Sequence, residues 1–360
     1  VYLKGIGFSI VLIGVLEGLA EATAGLSKGY FGNLSDRLGK RLPFVQFGYG
    51  LSAISKPLMA AFPYPLWVFF ARTVDRLGKG IRTGARDALL SDEATPATKG
   101  RIFGFHRSMD TLGAVIGPLI ALAFLAWRPG DYTTLFIVAF LPGIGAIVFT
   151  MLIQEKSNVP VATTTKPGFW DFLQYWARSP VACRRLVSGL LVFALFNSSD
   201  VFLLLKMKEA GCSDALVIGA YIFYNLVYAL SAYPLGILAD RIGMKRLLPG
   251  GLFLFAVVYA GMIFAESKVV FFALFFVYGL YAAATEGVAK AWITNICEKK
   301  DTATAIGTYT AFQSIFALFA SSLAGILWYS GGAGVAFAAS AVAAVAVGGY
   351  LMAFKIRAEP

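Results

Sequence analysis

Histidine occurs once in this chain of 360 residues, as His106, and cysteine three times, as Cys183, Cys212 and Cys297. A lone histidine excludes a multi-histidine metal centre. Three cysteines without paired spacing give neither a zinc motif nor a disulfide framework, so they read as small apolar residues. A nucleophile with its base is missing too, so no enzyme and no cofactor is expected. Charged residues are scarce, at 14%. The sequence opens on Val1 without a basic-then-apolar leader.

What fills the chain instead is apolar: 58% hydrophobic and 15% aromatic residues, with a mean hydropathy of +0.72. Successive apolar runs of 18 or more residues predict membrane helices, because backbone amides in lipid must be satisfied within their own segment. Eleven spans are predicted, over 5–31, 43–62, 66–92, 102–126, 133–154, 183–206, 214–236, 247–265, 269–294, 303–328 and 334–354. The fold class is therefore all-α and polytopic. Short loops pack sequential helices antiparallel. The exception is Gln154–Pro180, a polar and proline-bearing linker whose aromatic end, Phe169–Trp176, suits a helix lying in the membrane interface. This divides the chain into a bundle over 1–154, a linker over 155–181 and a second bundle over 182–360.

The net charge of +11 does not point to nucleic acid. Arg37, Lys40, Arg41, Lys99, Arg101, the linker basics, Arg241, Lys245, Arg246, Lys299 and Lys300 all fall on one side of the predicted topology. By the positive-inside rule that side, with the linker and the C-terminus, is cytoplasmic. The expected setting is a bacterial cytoplasmic (inner) membrane, the expected state a monomer.

One stretch recurs. Gly32-Asn33-Leu34-Ser35-Asp36-Arg37-Leu38-Gly39-Lys40-Arg41 returns as Gly236-Ile237-Leu238-Ala239-Asp240-Arg241-Ile242-Gly243-Met244-Lys245-Arg246. So long a period means two copies of a large unit. At this point the chain resembles the major facilitator superfamily, whose signature loop between its second and third helices reads Gly-x-Leu-Ala-Asp-Arg-x-Gly-Arg-Lys. Arg72 to Gly80 resembles the family's fourth-helix pattern, with Arg76 in place of a glycine. Gly104, Gly113, Gly117-Pro118 resembles the fifth-helix motif of the drug-antiporter branch, except that Ala121 stands for its last glycine. The resemblance implies two pseudo-symmetric six-helix bundles working by alternating access. It also implies that the first family helix is absent, leaving helices 2–6 and 7–12.

Ionisable residues inside spans are costly and mark function. On 66–92, Arg72, Asp75, Arg76, Lys79, Arg82, Arg86 and Asp87 share an arc of about 140° that must avoid lipid. Lys79, Arg82 and Arg86 are the candidate cavity cations, joined by Glu17, Glu286 and Lys290, the last two spaced to pair with one another. Proton-coupling candidates are Glu17, Glu21, Asp110, Asp200 and Glu286. By resemblance Gly32, Asp36, Arg37, Gly39, Arg41, Asp240 and Arg241 form gating loops. Asp36 is expected to pair with a helix dipole and with charges such as Arg86, Asp87 and Arg107, and Arg72 to join the gate. Gly104, Gly113, Gly117 and Pro118 are expected to pack helices. The function expected is proton-coupled export of a small amphiphilic or anionic compound. The rivals are an exporter of lipophilic cations, an organic-anion or nutrient symporter, and a non-transporting membrane sensor.

Overall fold

The computed structural model of the protein describes residues 10–155 and 168–353, with side chains from Thr23 onward. Among these it is 87% helical without a strand, as apolar runs in lipid require. The helices are α1 (Ile10–Leu38), α2 (Leu42–Ala61), α3 (Pro65–Asp92), α4 (Lys99–Trp127), α5 (Tyr132–Val138), α6 (Phe140–Met151), α7 (Asp171–Arg178), α8 (Val181–Phe196), α9 (Val201–Glu209), α10 (Asp214–Ile242), α11 (Met244–Phe264), α12 (Lys268–Ile296) and α13 (Thr302–Ala353). α13 bends at Gly332, whose φ of 81° only glycine adopts readily, and so makes two spans. α5 with α6, and α8 with α9, each make one interrupted span. α3 is long enough to cross at 28 residues but carries too many charges to qualify by hydropathy.

The chain divides into two compact units: Val1–Asp92, Leu119–Ser179 and Cys297–Ile315 in the first, Glu93–Pro118, Pro180–Ile296 and Phe316–Pro360 in the second. The N-terminal part of α4 belongs with the second unit, and that of α13 with the first.

In the first unit α2 and α3 cross at two glycines. A Cβ on Gly48 or on Gly78 would stand 2.6 Å from the other's carbonyl oxygen, so the backbones touch. Further along the same two helices Met59, Val68 and Ala71 are buried, with Leu58, Phe69 and Phe136 packed against them. α7 lies against α1. Phe172 is 2% exposed, its ring sits over Gly29, and Phe169 stacks on Tyr30 at 5.4 Å. Within the aromatic stretch Phe172 is thus turned to protein, while Trp170 and Leu173 stay exposed.

The second unit is held by rings. Phe255 stacks on Tyr259 at 4.0 Å and meets Phe193 and Tyr281 edge-on, each at 4.9 Å. Such pairs add about 0.5–1.5 kcal/mol each beyond the area they bury. Cys183 and Cys212 are buried; Cys297, in the first unit, is half-buried.

Candidate functional site

The signature loop is built by the end of α1. Gly39, with φ of 60°, takes the left-handed position that closes the helix, and Ser35 Oγ donates to the Lys40 carbonyl at 2.9 Å. Asp36 is thereby turned inward and is 5% exposed. Its Oδ1 accepts from Arg41 Nη1 at 2.7 Å and from the Ala303 amide at 3.2 Å. Its Oδ2 accepts from the Thr304 amide at 2.6 Å and from Thr304 Oγ1 at 2.7 Å. The carboxylate therefore caps the first turn of α13, where amides lack helical partners and the dipole is positive. Arg86, Asp87 and Arg107, named from sequence as partners of Asp36, are not those that hold it.

Arg41 is 3% exposed and also pairs with Asp92, Nε to Oδ2 at 2.9 Å. Burial alone would lower its pKa, but Asp36 and Asp92 together raise it, so the guanidinium stays charged. Asp36 lies beyond the apolar run of α1. Burial lifts its carboxyl to about 6, against the pull of Arg41 and Thr304, which leaves it ionised at neutral pH. Two linker carboxylates complete the loop. Glu155 accepts from the amides of Arg41 and Leu42, at 2.5 and 3.0 Å, and caps α2. Asp171 pairs with Arg37 at 2.8 Å.

The second copy repeats the device within the second unit. Gly243, with φ of 92°, closes α10, and Asp240 accepts from the amides of Gly100 and Arg101 at 2.7 and 2.8 Å, capping α4. Glycines let the gripped helices approach. A Cβ on Gly32 would strike the Ala303 carbonyl, and one on Gly307 that of Lys28. In the same register, a Cβ on Gly236 would strike the Gly100 carbonyl, and one on Gly104 would stand 2.5 Å from that of Ala232. The copies differ in their cations. Lys245 stands where Arg41 would, Arg241 is exposed, and the described partners of Asp240 are the two amides. Lys99 strengthens the second copy from another side, its Nζ donating to the Thr294 carbonyl at the end of α12 at 2.6 Å.

Gly104 packs closely, while among the described residues Gly113 and Gly117 have nothing within 4 Å of a would-be Cβ and Pro118 is exposed. The buried residues of α4 end at Val115.

The charges of α3 are spread over distinct environments. Asp75 pairs with Lys56 at 3.1 Å. Arg82 donates to Ser52 Oγ at 2.7 Å and lies over the Tyr49 ring, 4.3 Å from its centroid. Arg86 grips the neighbouring Asp87, which is 1% exposed. Lys79 is exposed, and Arg72 and Arg76 are half-buried. Of the cavity cations read from sequence, Arg82 and Arg86 are thus engaged with neighbouring side chains. Sequence reading passed over Lys28, on α1, 8% exposed with its Nζ 3.0 Å from Ser314 Oγ. Its place inside an apolar run was the available signal. Glu17 and Glu21 lie on α1 outside the residues whose side chains are described.

In the second unit Arg107 of α4 gathers two of the candidate carboxylates. It pairs with Asp110 at 3.1 Å and with Glu286 of α12. Glu286 therefore reaches across to α4 instead of being held only by Lys290 one turn away. At 1.5 Å per residue the cluster lies about 15 Å from the C-terminal end of α12, and all three residues keep some exposure. Since such charges cannot face lipid, they face a polar space. Asp200 stands apart, at the break between α8 and α9, its carboxylate accepting from the hydroxyls of Tyr224 and Tyr278.

The pattern of the Major Facilitator Superfamily matches residues 1–224 and again 186–360. The chain belongs to this superfamily. An uncharacterized transporter of the same type from Methanocaldococcus jannaschii is 30% identical over 91% of this facilitator and 82% of the relative. A multi-drug resistance efflux pump homolog of Lactococcus lactis is 21% identical over 83% of this chain and 75% of that one. Among solved structures the human organic anion transporter MFSD10 shares the fold, with a TM-score of 0.79 at 16% identity, covering 97% of this chain and 87% of that one. The facilitator is thus an integral membrane transporter.

Proposed function

We propose that this facilitator exports a small amphiphilic or anionic organic compound by alternating access, driven by the proton gradient. The observation that carries the reading is the charge balance of α1 to α3. Lys28, Arg37, Lys56, Arg72, Arg76, Lys79, Arg82 and Arg86 stand against Glu17, Glu21, Asp36, Asp75, Asp87 and Asp92, eight cations to six carboxylates. A membrane-embedded surplus of guanidinium and ammonium groups favours carboxylate, sulfonate or phosphate. Similarity to an efflux pump favours the outward direction.

A second reading, export of lipophilic cations, draws on the Arg107 cluster, where two carboxylates share one guanidinium and leave a net negative charge. Flux of anionic and cationic dyes in proteoliposomes, with and without uncoupler, decides between them. The anionic reading expects faster anion flux that falls at least tenfold in Lys79→Ala and Arg82→Ala. Anion flux untouched by both substitutions overturns it, and flux indifferent to the uncoupler overturns proton coupling.

A further inference from the structure

The span formed by α8 and α9 is broken at Asn197–Asp200. Asp200 occupies the N-cap of α9, the usual place for a carboxylate to hold its own helix, yet its side chain makes no capping bond. It turns instead into the aromatic core. Oδ2 accepts from the Tyr224 hydroxyl of α10, and Oδ1 accepts from the Tyr278 hydroxyl of α12 at 2.5 Å. Both tyrosines are buried, at 6% and 4% exposed. Asp200 as a residue is half-buried and its neighbour Ser199 is exposed, while both carboxylate oxygens are held by phenols.

The surroundings are unusual for an aromatic core. Tyr259 of α11 is fully buried and adjoins Ser198 and Asp200, yet its hydroxyl makes no hydrogen bond of normal geometry. The Oδ1 of Asn197 in the break is likewise without a partner among the described residues. Buried polar groups are nearly always paired, and exceptions cluster where function requires them. The other titratable groups facing Asp200 are Tyr281 and Glu286 of α12; Tyr228 of α10 lies next to Glu286 and Arg107. The described partners of Asp200 are neutral donors, whereas Asp110 and Glu286 share the Arg107 guanidinium. Unwound segments in membrane helices are where coupling ions bind, and an intramembrane carboxyl held by neutral donors suits exchange of a proton more than structural pairing.

We infer that Asp200, held by Tyr224 and Tyr278 at the α8–α9 break, is the residue that takes up and releases the coupling proton, and that it is separate from the Arg107 cluster. This rests on the proton-coupled reading above. Proton binding converts the carboxylate to a carboxyl whose O–H donates to one phenol oxygen. That phenol then turns its own O–H away, towards Tyr259 or Tyr281, and α9 is released from α10 or α12. Proton release reverses the change.

The test compares wild type, Asp200→Asn, Tyr278→Phe and Glu286→Gln in proteoliposomes, by transport driven by an imposed pH gradient and by exchange between substrate pools without a gradient. Asp200→Asn is expected to lose gradient-driven transport at least tenfold while exchange stays within about twofold of wild type. Tyr278→Phe is expected to keep both activities but to move the midpoint of the pH profile upward, because one donor to the ionised carboxylate is gone. Should Asp200→Asn not fold, that pH profile alone decides, and an unmoved midpoint sinks the inference. Gradient-driven transport retained in Asp200→Asn overturns it, as does loss in Glu286→Gln alone, which places the proton at the Arg107 cluster. Dependence on a sodium gradient lost in Asp200→Asn assigns the site to a metal cation and overturns the proton. If wild type responds to no proton gradient, the proposed function itself fails.

Discussion

The cap made by Asp36 on α13 gives a prediction whose size follows from its hydrogen bonds. Asp36→Ala removes the acceptor of the Ala303 and Thr304 amides and the Thr304 hydroxyl, and strips Arg41 of one of its two carboxylates. A buried donor left unmade costs about 1–3 kcal/mol. Two stranded amides at the low end, with some loss at Arg41, give about 3 kcal/mol, since the removed carboxylate also relieves its own desolvation. At about 1.4 kcal/mol per tenfold this shifts the arrangement with α13 gripped by α1 roughly a hundredfold towards release. Cys297, half-buried at the approach to α13, is a native reporter. With Cys183 and Cys212 replaced by alanine, alkylation of Cys297 by a hydrophilic maleimide is expected to accelerate in Asp36→Ala. Asp240→Ala strands only the Gly100 and Arg101 amides, in the other unit, and leaves that rate within about twofold. Equal rates in wild type and Asp36→Ala would refute the capping argument.

Other outcomes follow from the same geometry. Because burial lifts Asp36 to about 6 from its ordinary 3.8, the gripped form binds the proton more tightly than a form with Asp36 in water. Its extra stability is complete below about pH 4 and lost as pH rises through about 6, so acidification from pH 7 to 5 should slow Cys297 alkylation by up to tenfold, about 1.3 kcal/mol, beyond the roughly hundredfold slowing that loss of thiolate imposes on a free thiol followed in parallel; slowing no greater than the free thiol's contradicts it. Gly104→Ala places a methyl 2.5 Å from the Ala232 carbonyl, while Gly113→Ala meets open space. The first is expected to lower the melting temperature in detergent by several degrees and the second to leave it unchanged or raised, by helix propensity. Arg37→Ala breaks a partly exposed pair with Asp171 and should cost less than about 1 kcal/mol in the same assay.

The sequence was most informative where chemistry is local. The apolar runs, the duplicated Gly-Asp-Arg-Gly loop and the helix-closing role open to Gly39 and Gly243 all follow from residues within ten positions of one another. Partners were legible only where they lie a turn apart, as for Arg107 and Asp110. Asp36 was recognisable as a carboxylate needing donors, but the donors at Ala303 and Thr304 come from the far end of the chain, and no pattern near Asp36 names them. Glu155 was invisible for the same reason. It sits in a polar linker, and only the fold brings it to the start of α2. Asp200 was noticed for interrupting an apolar run, while its tyrosine partners were indistinguishable from ordinary core rings in α10 and α12. The glycines of α4 are alike in sequence yet differ in surroundings: among the described residues Gly104 is tight against Ala232, while Gly113 and Gly117 are open.

The exchange of segments between the two compact units has a consequence for how this protein is assembled. Cys297–Ile315 completes the first unit and Glu93–Pro118 completes the second, so neither half of the gene encodes a whole folding unit. A ribosome that has just finished the linker has produced a first unit still missing α13's opening turns. That unit closes only when nearly the entire chain has been made, while the capping site on Asp36 stays open in the interval.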